Sequence, residues 1–377
     1  MIKKVLFIIE SLTCGGAEKS LISLLPLLDY SKVQVDLMLM ERGGVFEQYV
    51  PKDVNVVDFP LLSGSCPLLY QMWFSILLRI MKKRHGAEVR WIAMNGAYEV
   101  FEKEYDVAVA YQQGFPTYYV AEKVQAKRKY AWVNVDLKSA GYNEAFNRKF
   151  YDLYDKVVPV SDVLCEMMKK TNYTDVDKLC TVYDILNVDL IRRMSLEKVE
   201  IISHHTTIIV TTGRLAPQKN YPLAVETAAL LKKKGLSFVW YFVGEGSERG
   251  RLEDLIRSNA LEEQVKLVGM TPNPYPYMAR ADVYVQTSSF EGFGLTLNEA
   301  RILHRPVVST NFPVVYNQIK DGENGLISEM NPEIVTEKIM MILNDEKLRN
   351  RLIEGTEKEV NLTAETEPMK VMELLLA

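Results

Sequence analysis

The residues best able to do chemistry lie in four turns, each placed after a short apolar run. In Thr212-Gly213-Arg214-Leu215-Ala216-Pro217-Gln218-Lys219-Asn220 an Arg and a Lys flank a Gly/Pro loop that leads into a helical pattern. Together they can neutralise about two charges of a diphosphate, Arg through a fork of donors and Lys as a point charge. They can equally be two solvated loop cations. In Ser288-Ser289-Phe290-Glu291-Gly292-Phe293-Gly294-Leu295-Thr296-Leu297-Asn298-Glu299-Ala300 a loop with two glycines feeds a helix, so the amides of Phe293 to Thr296 can converge on one spot. Glu291 lies in the loop and Glu299 about one turn inside the helix. One can address a ligand of the loop and the other a neighbouring hydroxyl, or either can serve as a cap. The third turn, Val243-Gly244-Glu245-Gly246-Ser247, lets a ligand approach the backbone, or serves only to let Ser247 cap the next helix. The fourth, Glu10-Ser11-Leu12-Thr13-Cys14-Gly15-Gly16-Ala17-Glu18, offers N–H groups to an anion, or is a plain strand-to-helix turn. None of the four is a G-x-G-x-x-G or G-x-x-x-x-G-K-S/T loop.

Such turns need strands to hold them. One series of strands is expected at Val5–Ile9, Val33–Met40, Val54–Phe59, Asp106–Tyr111, Tyr130–Val135 and Val157–Val160. A second is expected at Ile208–Thr212, Phe238–Val243, Val265–Val268, Val283–Gln286, Val307–Thr310 and Gly325–Ile327. Helical patterns lie between them, including Ala17–Leu28, Tyr221–Lys234, Glu248–Ala260, Leu295–Leu303 and Pro332–Leu343. Continuous apolar runs alternating with helices imply parallel strands covered on both faces. Two series mean two doubly wound, Rossmann-like α/β domains, whose ligands sit outside the carboxyl ends of the strands. The polar stretch Arg192–His205 separates the series, with a hinge near 185–206. The expected domains are 1–186 and 187–360, followed by a C-terminal helix in 361–377 that returns to the first domain.

Composition narrows the class. The chain has 377 residues, 48% of them hydrophobic and 25% charged, which excludes a disordered or collagen-like protein. Its 45 basic and 49 acidic residues give a net charge of −4, without the basic surplus of a general nucleic-acid binder. Cys14, Cys66, Cys165 and Cys180 are scattered and read as free thiols of a reducing cytoplasm. MIKKVLFIIE is too short in its apolar part for a signal sequence, and no transmembrane run is evident. No metal is expected. The Asp175-Val176-Asp177 triplet reads as a solvated turn, and His85, His204, His205 and His304 lack ligand spacing.

The order Gly213-Arg214…Lys219-Asn220, Gly244-Glu245-Gly246, Glu291-Gly292-Phe293-Gly294…Glu299-Ala300, Pro306-Val307-Val308 and Gly322…Asn324-Gly325 resembles glycosyltransferase family 4. These are retaining nucleotide-sugar enzymes of the GT-B fold, in which two Rossmann-like domains face each other across a cleft. Gly15-Gly16-Ala17-Glu18 is similar to that family's Gly-Gly loop. The resemblance implies that the second domain binds the nucleotide and the first the acceptor. It implies that Arg214 and Lys219, beside Gly213, hold the diphosphate, helped by Gly15, Gly16 and the amides of Leu295 and Thr296. Glu299 would accept from the ribose, and Gly244 would line the donor site. Glu291, with the amides of Gly292, Phe293 and Gly294, would position the sugar, and Gly269 and Met270 would frame the base. The implied reaction is transfer of a hexosyl group from a nucleotide sugar to a sugar or lipid-linked sugar in bacterial surface polysaccharide synthesis. A UDP-sugar is the expected donor, GDP-mannose the alternative, and no cofactor is required.

Two positions depart from the family pattern. Where relatives often have a His within Trp-x-His-x-Asp, this chain has Trp132-Val133-Asn134-Val135-Asp136. Asn134 cannot be a general base. The proton then goes to the donor phosphate or to another residue, for which Asp136 is the nearest candidate and a structural carboxylate the competing reading. The substitution also makes a sugar-nucleotide-binding protein without turnover thinkable. His304 stands where Gly is usual and reads as a surface-loop residue. Finally, Leu68–Arg90 joins an apolar run bearing Trp73 and Phe74 to Arg79, Lys82, Lys83, Arg84 and Arg90. That suits peripheral contact with anionic lipid on the inner face of the plasma membrane, or an ordinary packed helix with a basic end.

Overall fold

The computed structural model describes residues 2–13, 15–60, 67–82, 84–201, 206–291 and 293–377, with the side chains of 67–69 and 357–365 left aside. Cys14, Cys66, Lys83, His204, His205 and Gly292, all named above, lie outside the described residues. The chain forms two compact units: Met1–Ile185 together with Thr366–Ala377, and Leu186–Glu365. The first junction falls one residue before the expected 186/187 boundary and the second five residues after 360/361.

The first unit holds β1 (Lys3–Ile9), β2 (Val33–Leu39), β3 (Val54–Asp58), β4 (Phe101–Ala110), β5 (Val124–Val133) and β6 (Lys156–Pro159). They form one parallel sheet in the order β3-β2-β1-β4-β5-β6. The second unit holds β7 (Thr207–Thr212), β8 (Phe238–Val243), β9 (Val265–Gly269), β10 (Val283–Gln286), β11 (Val307–Thr310) and β12 (Leu326–Ser328), in the order β12-β11-β10-β7-β8-β9. Both are the doubly wound order, with a switch point between β1 and β4 in one sheet and between β7 and β10 in the other. Val5–Ile9 and all of β8 are buried, as strands covered on both faces must be.

All twelve expected strands are present. β4 and β5 begin several residues before the expected Asp106 and Tyr130. Their extra residues, rich in Glu, Lys and Gln, continue the ladder past the edge of the core and are mostly exposed. Polar composition hides such strands, because pairing there is held by backbone hydrogen bonds rather than burial. The polar linker Arg192–His205 is a linker only in part. A helix, Val188–Ser195, enters it and buries Ile191 and Met194. The C-terminal helix expected in 361–377 is the end of a longer one, Glu346–Leu376, which contains Pro368. Its last residues close the first unit. Val371 and Leu375 are buried, Tyr130 Oη donates to Leu374 O at 2.9 Å, and Tyr183 N donates to Glu367 Oε2 at 2.9 Å.

Candidate functional site

The second unit brings the sequence-nominated side chains of Lys219 and Glu291 together at its switch point. The loop after β7 and the loop after β10 are joined directly. Ser289 N and Oγ donate to Gln218 O at 2.8 and 3.0 Å, and Thr287 Oγ1 donates to Lys219 O at 3.0 Å. Pro217–Lys219 forms a single 3₁₀ turn that ends at Asn220, whose left-handed backbone (φ 49°) starts the helix Tyr221–Lys233. Asn tolerates that conformation better than most residues. This joint fixes where Lys219 emerges.

Lys219 Nζ lies 2.6 Å from Glu291 Oε1, and both side chains are largely buried. The same carboxylate oxygen accepts from Gln286 Nε2 at 2.7 Å and from Ser288 Oγ at 2.5 Å. Gln286 Oε1 in turn accepts from Thr296 Oγ1 at 2.6 Å. A polar chain Lys219–Glu291–Gln286–Thr296 thus runs from one loop to the start of the helix Leu295–Ile302. That helix begins at Gly294 (φ 82°), with no side chain capping it. Gln318 holds the entry by donating to Phe293 O. Uncapped amides at a helix N-terminus, a buried cation and the exposed Arg214 suit a polyanion. No hydrogen bond or ion pair engages the Arg214 side chain among the described residues.

Glu299 is placed differently. Its carboxylate is fully buried and accepts from Tyr275 Oη at 2.9 Å. The sequence suggested a carboxylate that addresses a neighbouring hydroxyl or serves as a cap; in the structure a hydroxyl that it meets is the protein's own, that of Tyr275. Tyr275 heads the short helix Tyr275–Met278, which follows Gly269 (φ 87°) and the exposed Met270 at the end of β9.

The glycines of the third turn have a structural reason. A Cβ on Gly244 (φ 151°) would lie 2.0 Å from Gly213 O, and one on Gly246 2.3 Å from Leu215 O. The turn after β8 is laid against the loop after β7 by Gly213 N to Val243 O, Leu215 N to Glu245 O and Glu248 N to Leu215 O bonds of 2.9–3.0 Å. Close approach is therefore between two protein backbones. Gly213 is also held from below, since Tyr221 Oη donates to its carbonyl at 2.9 Å.

In the first unit Gly15 precedes the helix Gly16–Leu24 with an ordinary extended backbone. The carboxylate of Glu18 folds over it, so closely that a Cβ on Gly15 would meet Glu18 Oε2 at 2.1 Å. A carboxylate of the protein itself therefore lies beside the helix start that Gly15 and Gly16 were expected to offer to an anion. Asn134, at the end of β5, ties two strands together: its N–H donates to Gln113 Oε1 at 3.0 Å and its Nδ2 to Tyr111 O at 3.3 Å. Asp136 is a turn carboxylate. Lys138 N donates to Oδ1 at 3.0 Å and Ser139 Oγ to Oδ2. Each of its oxygens thus accepts one hydrogen bond from the turn at residues 138 and 139. His304 is not a plain surface residue either. It is half-buried with φ 53°, closing the helix Leu295–Ile302, and its Nε2 lies 3.2 Å from an Arg192 nitrogen. Glycine is usual there because L side chains resist that backbone. Asp175 pairs with Arg148 at 2.5 Å.

Sequence reasoning missed Gln286, Ser288 and Tyr275. Gln286 had a signal: it is the one polar residue of the otherwise apolar β10 that ends in the loop. Ser288 and Tyr275 had none beyond proximity.

Residues 194–359 match the family profile described as glycosyl transferases group 1. That segment carries the whole Arg214–Glu299 constellation. Over 352 residues the chain is 28% identical to N-acetylgalactosamine-N,N'-diacetylbacillosaminyl-diphospho-undecaprenol 4-alpha-N-acetylgalactosaminyltransferase of Campylobacter jejuni, covering 90% of each chain. It is 31% identical over 182 residues to the poly(ribitol-phosphate) alpha-N-acetylglucosaminyltransferase of Staphylococcus aureus, covering 47% of this chain and 35% of that one. Among solved structures it resembles Anabaena HepE in complex with UDP and glucose, with a TM-score of 0.72 at 17% identity over 99% of both chains. It also resembles Staphylococcus aureus TarM, with a TM-score of 0.70 at 15% identity over 100% of this chain and 99% of that one. The fold, two Rossmann-like α/β units, is that of the GT-B glycosyltransferases.

Proposed function

We propose that this protein is a retaining glycosyltransferase that moves a hexosyl group from a UDP-sugar to a sugar or lipid-linked sugar during bacterial surface polysaccharide synthesis. The observation that carries the reading is the Lys219–Glu291 pair at the β7/β10 switch point, beside Arg214 and the uncapped start of Leu295–Ile302. Arg214, Lys219 and the amides of Leu295 and Thr296 hold the diphosphate and stabilise the negative charge that grows on it as the sugar–oxygen bond breaks. Lys219 does so by turning from, or sharing itself with, Glu291. Glu291 is then available to the sugar's hydroxyls, with Gln286 and Ser288 holding it in place. Glu299 takes the ribose hydroxyls in place of the Tyr275 hydroxyl, and the backbone at Gly269 and Met270 frames the base.

With Asn134 and Asp136 both engaged in structural hydrogen bonds, the departing phosphate oxygen receives the acceptor's proton on the same face that the acceptor attacks. That route keeps the anomeric configuration. The Campylobacter and Staphylococcus relatives are both named for alpha products, which supports retention from an alpha-linked UDP donor. The Campylobacter relative's name also supports a diphospho-undecaprenol-linked acceptor, and hence reaction at the cytoplasmic leaflet. Because protein cations already supply the positive field, activity should survive EDTA. The test is a screen of UDP-sugars and GDP-mannose, in EDTA, against lipid-linked acceptors, with the product's anomeric configuration read by NMR. UDP-dependent transfer with retention supports the proposal. Inversion, a strict metal requirement, or nucleotide binding without turnover contradicts it.

A further inference from the structure

The helix Pro67–Ile80 in the first unit carries two apolar faces. Tyr70, Phe74 and Leu77, spaced i, i+4, i+7, pack against the core of that unit. A second stripe, Met72, Trp73, Ile76 and Ile80, points away from it, at 61%, 49%, 44% and 71% exposure. A helix of a folded domain normally turns one apolar stripe to the core and polar residues to water. Here the outward stripe is as apolar as the inward one and includes an aromatic.

Charge says what the stripe faces. From Phe59 to Ala87 the sequence contains no Asp or Glu. Arg79, on the flank of the stripe, and Lys82, just past the end of the helix, are exposed. The other described cations of the segment are turned inward. Arg84 pairs with buried Glu88 at 3.3 Å and lies over the Phe146 ring, and Arg90 lies 5.0 Å over the Phe115 ring. Phe74, nominated from composition to enter lipid, is on the core face. The helix has 14 residues, about 21 Å, and among the described residues no helix is long and apolar enough to cross a membrane.

We propose that Met72, Trp73, Ile76 and Ile80, flanked by Arg79 and Lys82, form a surface that docks in the plane of an anionic lipid membrane. A protein partner or water is a poorer match to an apolar stripe with a Trp at mid-helix, cations at one end and no acids. The apolar side chains enter the headgroup–acyl boundary while the cations meet lipid phosphates. The inference is independent of the catalytic reading.

Trp73 makes the test direct, since Trp91, Trp132 and Trp240 are all buried. The full chain is floated with vesicles of phosphatidylcholine alone and of phosphatidylcholine mixed equally with phosphatidylglycerol, while tryptophan emission is recorded. Expected are preferential binding to the mixed vesicles and a blue shift that Trp73→Phe abolishes without abolishing binding. Ile76→Gln with Ile80→Gln should lower partitioning about tenfold or more, because two exposed side chains lose their lipid burial and the fold keeps its core. Salt should weaken binding without removing it. No binding at low salt, binding indifferent to the Ile76/Ile80 changes, or an unshifted emission would each overturn the proposal. So would a dimer in sedimentation that the same two changes dissociate while vesicles are ignored, since the stripe would then cover a second copy.

Discussion

Lys219 carries two loads that substitution can separate. It neutralises the buried Glu291 carboxylate, and in the proposed site it meets the diphosphate. Arg214, exposed and without a partner among the described residues, carries only the second. Both Arg214→Ala and Lys219→Ala should therefore weaken UDP binding, by about 2–5 kcal/mol, the usual cost of truncating one side of a desolvated charge pair. Only Lys219→Ala should also lower stability, by about 1–3 kcal/mol, because Glu291 is left buried with Gln286 and Ser288 alone. Calorimetry of ligand binding and of unfolding on the same two variants checks this. Equal losses of stability would mean that the Lys219–Glu291 pair is not formed. Glu291→Gln should spare UDP affinity, since it releases Lys219, but lower turnover. The sequence nominated Arg214, Lys219, Glu291 and Glu299 by their place in loops after apolar strands and by the resemblance to glycosyltransferase family 4, and the structure pairs Lys219 with Glu291. Gln286 stands out in the sequence only as the polar end of an apolar strand, and Ser288 is a type that occurs everywhere, so geometry alone shows that the two fix the carboxylate.

At the scale of elements, the loops are positioned by backbone as much as by side chains. Gly244 lies under the carbonyl of Gly213, with a backbone closed to most residues. Gly244→Ala should push the β7 loop out of place, costing more than about 2 kcal/mol and weakening UDP binding although residue 244 need not touch it. Intact stability in that variant, by thermal unfolding, would show that the two loops are not in contact. His304 gives the opposite case. Glycine there should relieve the left-handed strain and stabilise by up to about 1 kcal/mol, less whatever the Arg192 contact contributes. The strands of both units were readable from their apolar runs, and helices such as Tyr221–Lys233 and Leu295–Ile302 from the patterns between them. The polar extensions of β4 and β5, and the helix that starts at Val188 beside the linker, were not, because they are stabilised by pairing and by two buried residues rather than by a long apolar pattern.

At the scale of the whole molecule, one buried acid sets a pH response. Asp184, next to the junction of the two units, has its pKa pushed up to about 7 by burial, against a smaller lowering by the hydrogen bond with Ser20. The folded state therefore holds a proton that the unfolded chain, with an ordinary Asp near 4, gives up. Its contribution to stability is full below about pH 4 and is lost as pH rises through 7, about 2 kcal/mol of it between pH 5 and 7. Asp184→Asn should remove that slope and be more stable than the parent at pH 8, which denaturant unfolding across pH would show; an unchanged slope would place the proton elsewhere. Two doubly wound units were foreseeable from two strand series. The return of Thr366–Ala377 to the first unit rests on Val371, Leu375 and Glu367, whose partners lie far away in sequence. In the proposed site the second unit's switch-point loops should hold a uridine diphosphate through protein cations alone. Titrating UDP into the protein and into Arg214→Ala, in EDTA, tests it most directly. The expected result is metal-free binding that falls by at least about 2 kcal/mol in the variant. Absence of binding in EDTA, or equal affinity of the two proteins, would contradict it.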